Sequence, residues 1–247
     1  MRRYAPGGAS YSIGPGPMGP AVRTILFANI GMYVLTLFAA RTVVFWLGLT
    51  PEAVLERGRV WQLATYLFVH STDPMHILIN MLMLWMFGVE LERRWGTRAF
   101  TTYYAITGIG AGVGVVLAAL LPFASAQEAY TIPTVGASGA IFGLMLAWAL
   151  VFPDRQILFM MIFPLPARVF VAIMGALQFL YAFRAVGNGV SNVAHLSGLL
   201  IGYLYLRGPR NLRLEFQYRL TKWRMERMRR RFGIHQGGKN RWGDRVH

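Results

Sequence analysis

The sequence predicts an all-α integral membrane fold, a bundle of six transmembrane helices with an interfacial first loop. Three observations carry this. The 247 residues are 55% hydrophobic and only 14% charged, whereas soluble domains carry about 25% charged residues. Six apolar runs recur along the chain, most of them near the length of a membrane span. Lysine and arginine are distributed unevenly between the segments that join them, as the positive-inside rule requires.

The elements follow in order. Residues 1–22 are rich in Gly, Pro and Ser, with Arg2 and Arg3 at the start and no apolar stretch directly after them. They read as a disordered cytoplasmic arm and not as a cleaved signal. The membrane domain is expected over residues 23–206. Its apolar runs are Arg23–Ala40, Met75–Leu91, Thr102–Leu121, Ser138–Phe152, Ala167–Phe183 and Val193–Leu206. The fourth is short. At 1.5 Å per residue it reaches about 22 Å, against a hydrocarbon core of about 30 Å. One end of it therefore starts below the membrane surface, and the loop Glu128–Ala137 before it dips into the bilayer zone. Such a loop is tolerated where protein or water covers it. Ser138 is thus expected on the floor of a water-filled recess.

Two connecting pieces are too apolar for solvated loops. Thr42–Met75 holds Trp46, Trp61, Tyr66 and Phe68 and is expected in the interface. Ile157–Phe163 runs into Pro164-Leu165-Pro166, which breaks a continuous helix, so it reads as an interfacial or partly extended connector. With both termini in the cytoplasm, 21 of the 25 Lys and Arg residues lie inside, and Arg41, Arg57, Arg59 and Arg184 lie outside. The loop before Ser138 then faces outward. Residues 207–247 form a basic cytoplasmic tail. Within it Leu212, Phe216, Leu220 and Trp223 recur at helical spacing among arginines, a pattern suited to anionic lipid at the inner leaflet. The net charge of +15 is concentrated there, and no nucleic-acid partner is expected. There are no cysteines, so no disulfide constrains the fold.

Ionisable and strongly polar residues inside spans are costly and point to function. The second run opens with His76-Ile77-Leu78-Ile79-Asn80, whose His76 and Asn80 share a helix face. The fourth is entered through Gly136-Ala137-Ser138-Gly139, and the serine hydroxyl meets the free N–H groups and positive dipole end of a helix N-terminus. The sixth contains Ala194-His195-Leu196-Ser197-Gly198 and continues to Gly202. The topology puts Ser138, His76, Asn80 and His195 toward the same side of the membrane. Gly139 with Gly143, and Gly198 with Gly202, form two small faces through which spans four and six can approach closely.

Taken together, these pieces resemble the rhomboid intramembrane serine proteases. The resemblance covers about Trp61 to Leu206 and rests on His76-xxx-Asn80, Gly136-Ala137-Ser138-Gly139 and Ala194-His195-xx-Gly198-xxx-Gly202, in that order on spans two, four and six. Glu92-Arg93-Arg94 at the inner end of span two also looks like the family's pattern. The resemblance implies a six-helix fold and cleavage of single-pass or other transmembrane protein substrates. It makes Ser138 the nucleophile and His195 its base. His76, the Asn80 amide and the Ser138 main-chain N–H become the oxyanion donors. No carboxylate lies within span four or at the start of span six, and Glu128 is ten residues before Ser138, so a Ser-His dyad is favoured over a triad. Phe142 stands where family members often carry Tyr, and is placed to stack on His195. Gln62, after Trp61, stands where the family often has Arg. His70 in the same loop reads as structural.

No metal site or cofactor is expected, since His76-xxx-Asn80 is not a His-Glu-x-x-His motif. Two other classes fit less well. A catalytically silent rhomboid-like client binder would typically lack the serine or the histidine. A transporter with a midplane site would show repeated halves, which this chain lacks. Span five, with Phe170, Met174, Phe179 and Phe183, reads as a lateral gate beside span two, and its tip Arg184–Ser191 as mobile. A prokaryotic plasma membrane is the expected location, because no organelle-targeting arm is evident.

Overall fold

The computed structural model describes residues 15–122, 129–159, 163–182 and 189–208. The arm before residue 15, Glu128, Phe183, the tip residues 184–188 and the basic tail with its amphipathic pattern lie outside the described residues.

Helix α1 runs from Pro20 to Leu47, longer at both ends than the apolar run. Pro20 occupies its first turn, where a missing N–H is harmless. The next donors, Ala21 N–H and Val22 N–H, go to the two carboxylate oxygens of Glu92, each at 2.9 Å. The Thr97 hydroxyl donates to the same carboxylate at 2.8 Å. Glu92 is thus a remote cap, and Gly19 is required beside it, since a Cβ there would fall 2.3 Å from the carboxylate carbon. At the other end α1 passes a non-helical Ala39 and continues through the aromatic pair Phe45 and Trp46.

The interfacial piece is therefore shared between the end of α1 and two short helices, α2 (Pro51–Leu55) and α3 (Gln62–Thr65), closed by a 3-10 turn over Tyr66–Phe68. Helix α4 (Pro74–Trp95) begins at Asp73, whose carboxylate accepts the Met75 N–H at 3.0 Å. It ends at Gly96, where φ is +80°. Helix α5 (Thr97–Ala119) follows at once. Helix α6 (Ser138–Val151) is short, 14 residues, and buried on nearly every side. Its uniform apolarity has a packing cause, because α4, α5 and the next helix surround it.

The connector after α6 is extended, one of the two forms its sequence suggested, and it pairs with itself inside a mostly helical fold. Strands β1 (Gln156–Phe159) and β2 (Phe163–Pro166) pair antiparallel, with Gln156 opposite Pro166 and Phe159 opposite Phe163. A two-stranded sheet has only edges, so Pro164 and Pro166 are tolerated in it. Helices α7 (Ala167–Ala182) and α8 (Gly189–Arg207) are the last elements among the described residues. Gly189 to Ser191, expected in a mobile tip, are the first turn of α8.

Among the described residues, three helices, α1, α4 and α5, have the length and apolarity to cross a membrane, and α6 and α7 are shorter apolar helices. Their outer faces are greasy: Phe38 is 85% exposed, and Phe27, Leu117 and Leu180 are each at least 60% exposed. Water would penalise such a surface, whereas lipid accepts it.

Candidate active site

Ser138 is the first residue of α6, and no side chain caps that helix. The approach to it is rigidly held. Thr134 and Leu49 exchange main-chain hydrogen bonds at 2.8 and 2.9 Å, and Gly136 N–H donates to the Tyr66 carbonyl at 3.0 Å. The Tyr66 hydroxyl in turn donates to the Gly108 carbonyl on α5 at 2.7 Å. Burial pushes the Tyr66 phenol well above its ordinary range, so it stays a neutral donor. The interfacial loop thus sets the position of the serine relative to α5.

Ser138 Oγ and His195 Nε2 are 2.7 Å apart. The ring of Phe142, one turn along α6, stacks on the His195 imidazole with centroids 4.3 Å apart and planes 12° from parallel. The close approach of α6 and α8 depends on glycine. A Cβ on Gly198 would lie 2.0 Å from the Gly139 carbonyl oxygen. A Cβ on Gly202 would lie 2.5 Å from the Tyr103 hydroxyl and 3.3 Å from Gly143 Cα, and one on Gly139 would lie 2.7 Å from Ala111 Cβ. Both small faces are therefore in use, and they bring the serine and histidine side chains into register.

His76, on the first turn of α4, faces the same space. Its Nδ1 receives the Ser71 main-chain N–H at 3.3 Å and lies 2.9 Å from the Ser71 hydroxyl. A main-chain N–H can only donate, so in the neutral ring the proton sits on Nε2. That nitrogen lies 2.8 Å from where a Cβ on Gly136 would be, and the Ser138 main-chain nitrogen is 3.9 Å from the same point. Gly136, at φ +120°, therefore keeps open a space flanked by two N–H donors. Ser138, His76 and His195 are all half-buried, so this space is reachable.

Asn80 is placed differently. Its amide nitrogen donates to the His76 carbonyl one turn back at 2.7 Å, and its Oδ1 is buried without a partner. One of its two amide hydrogens is thus committed to its own helix.

His70 is fully buried, its ring edge-on to His76 at 5.0 Å. Burial, and then the neighbouring His76, hold its pKa down to about 4, with the Phe68 backbone opposing them. The loop is anchored without an arginine at position 62. Gln62 is fully buried, accepts the Thr50 N–H at 3.1 Å and donates to the Phe45 carbonyl at 3.2 Å. The cation comes instead from Arg59, which donates to the same carbonyl at 2.9 Å and lies over the Phe45 and Trp46 rings.

Sequence reasoning missed Gln178 on α7, whose Oε1 is 2.9 Å from His195 Nδ1. A signal was there: it is the lone amide in the fifth run, which after Arg168 carries no other charge or amide, and intramembrane polar groups point to function. It also missed Ser71, which carried no signal. Among the described residues, no three His, Asp or Glu side chains cluster as a metal site would need.

The family model of the Rhomboid domain matches residues 57–208, more than half of the chain. The chain belongs to the rhomboid family. Rhomboid relatives are found in bacteria and eukaryotes. Rhomboid protein 1, mitochondrial, of Saccharomyces cerevisiae is 34% identical over 131 residues, 53% of this chain and 36% of that one. The putative rhomboid protease YdcA of Bacillus subtilis is 28% identical over 190 residues, 75% of this chain and 86% of that one. Rhomboid protease GlpG of Salmonella paratyphi A is 28% identical over 192 residues, 74% of this chain and 61% of that one. The matches to three eukaryotic relatives, the yeast protein among them, span between 36% and 46% of those proteins' own length. Family membership and the apolar helices make this rhomboid protein an integral membrane protein.

Proposed function

We propose that this protein is an intramembrane serine endopeptidase that cleaves transmembrane segments of membrane-anchored proteins by a Ser138–His195 dyad. The observation that carries the reading is the 2.7 Å contact between Ser138 Oγ and His195 Nε2 inside an apolar helix bundle. The names of the bacterial relatives, rhomboid proteases both, support it.

In this reading, His195 Nε2 takes the serine proton as Oγ attacks the scissile carbonyl. The C–O bond to the serine forms, and the carbonyl electron pair becomes an oxyanion. It lies in the space beside Gly136, where the Ser138 N–H and His76 Nε2–H stabilise it. Asn80 contributes its second amide hydrogen. The imidazolium then protonates the leaving amine as the peptide C–N bond breaks. Water, deprotonated by the same imidazole, then adds to the acyl carbon, the ester bond to Ser138 Oγ breaks, and the imidazolium returns its proton to Oγ. Phe142 keeps the ring in plane, and Gly139, Gly198 and Gly202 keep the helices close enough for the transfer.

Six spans with both termini in the cytoplasm, a serine opening to the other side and a basic tail on anionic lipid complete the proposal. The charge distribution supports them.

The test is covalent labelling of the purified protein by a fluorophosphonate. Ser138→Ala and His195→Ala should abolish labelling while melting like wild type. His76→Ala should still label, about a hundredfold more slowly, the usual cost of one oxyanion donor. A folded wild type that no serine-directed probe labels would leave a client-binding rhomboid relative as the better reading.

A further inference from the structure

Helix α7 is buried only near its start, at Ala167, Phe170 and Val171. Farther along, Phe179, Leu180 and Tyr181 are each about half exposed. In this outer half lies one amide, Gln178, half-buried, and it turns inward to His195. The three groups form a line: Gln178 Oε1 to His195 Nδ1 at 2.9 Å, and His195 Nε2 to Ser138 Oγ at 2.7 Å.

A neutral imidazole carries one ring proton, and which nitrogen holds it is set by the partner of the other. Only the form protonated on Nδ1 leaves a lone pair on Nε2 to accept the serine proton. That form needs an acceptor at Nδ1, and an amide oxygen supplies one. With the proton on Nε2 instead, the serine hydroxyl could only accept, and His195 could not act as its base. In aqueous serine proteases a buried carboxylate makes this choice. Within a span a carboxylate is expensive, whereas an amide supplies the acceptor without a charge.

We propose that Gln178 is the positioning residue of the dyad. Its side-chain carbonyl holds His195 in the Nδ1–H form and ties the outer half of α7 to the catalytic pair. The inference rests on reading Ser138 and His195 as a proton-transfer pair. It adds a dependence of their tautomer on α7, a helix that supplies neither of them. Displacement of α7 would switch off the base without touching the serine.

The experiment is ring 15N NMR of the full-length protein in bicelles, with His195 assigned by difference from His195→Ala, together with fluorophosphonate labelling rates. Gln178→Met keeps the length and removes the acceptor. Gln178→Glu keeps the acceptor. Wild type should show protonated Nδ1 and bare Nε2. Gln178→Met should populate the Nε2–H form and label about tenfold or more slowly, with probe affinity unchanged. Gln178→Glu should keep the Nδ1–H form and label within about threefold of wild type. An unchanged tautomer and labelling rate in Gln178→Met would overturn the proposal. Should that variant fail to fold, loss of the Nδ1–H form in Gln178→Glu would overturn it. The tautomer is read without turnover. A wild type that never labels, yet switches tautomer in Gln178→Met, would therefore refute the protease reading and leave the positioning role standing.

Discussion

His70 and His76 pack edge-on with ring centres 5.0 Å apart, and their surroundings give them different work. His76 has its Nδ1 occupied by Ser71 and turns an N–H toward the space beside Gly136. His70 sits behind it, wholly buried. Charging His70 would put an uncompensated cation into that packing. Its pKa, held down to about 4 from the ordinary 6.5 chiefly by burial, makes stability depend on pH. The unfolded chain binds a proton at this residue below about 6.5, and the folded chain does so only below about 4. The stabilisation is therefore fully present above pH 6.5 and is lost as pH falls toward 4. The whole effect is about 3 kcal/mol. Melting temperature in detergent should fall over that window, and His70→Phe should flatten the dependence. A wild-type melt that is level from pH 7 to pH 4 would show that His70 is not held neutral by its burial.

Helices α6 and α8 meet at glycines because their backbones touch. Gly198 faces the Gly139 carbonyl closely enough that even a methyl group must push the two helices apart. Ser138 is one residue from that contact and His195 is three, so separation there acts directly on the 2.7 Å hydrogen bond. Gly198→Ala should cost about 2 kcal/mol or more from overpacking. It should also slow fluorophosphonate labelling more than tenfold, a steep dependence on geometry. Gly31→Ala is the control. Nothing lies within 4 Å of a Cβ there, and the helix gains about 0.5–1 kcal/mol from losing a glycine. Equal melts and labelling rates for the two variants would argue against a packed glycine contact. The capping of α1 by Glu92 works at the same scale. Two orphan N–H groups at a helix start find one carboxylate from α4, so the pairing of α1 with α4 is specified by hydrogen bonds as well as by apolar contact.

Across the whole molecule, the exterior is apolar and the catalytic pair is half-buried, so the proposed cleavage requires a substrate segment to pass from one to the other. Helix α7 is one of the loosely buried sides of the bundle, with burial confined to Ala167, Phe170 and Val171, which supports lateral access between α7 and α4. The chain has no cysteines, so an introduced pair bridging the outer halves of α4 and α7 would form a single cross-link. Oxidation should stop cleavage of a membrane-anchored substrate, and reductant should restore it. Labelling by a small fluorophosphonate should persist throughout. Full turnover of the membrane substrate by the cross-linked protein would refute lateral access on this side.

The sequence by itself determined the membrane class, the positions of the apolar helices and the identities of Ser138, His195, His76 and Asn80 as the polar residues to watch. Hydropathy and helical spacing are local properties, and a charge or amide in an apolar run is conspicuous wherever it folds. Short motifs beside small residues could be read for the same reason. What only the tertiary structure decided are the contacts between distant segments. Gln178 reaches His195 from another helix, Arg59 supplies the cation absent at Gln62, and Ser71 sets the His76 tautomer. Glu92 caps a helix seventy residues away. The prolines of the connector after α6 pointed to an extended piece, but that β1 pairs with β2 was decided by the tertiary structure. Such contacts depend on which faces meet at what depth, and no single stretch of the chain contains that information.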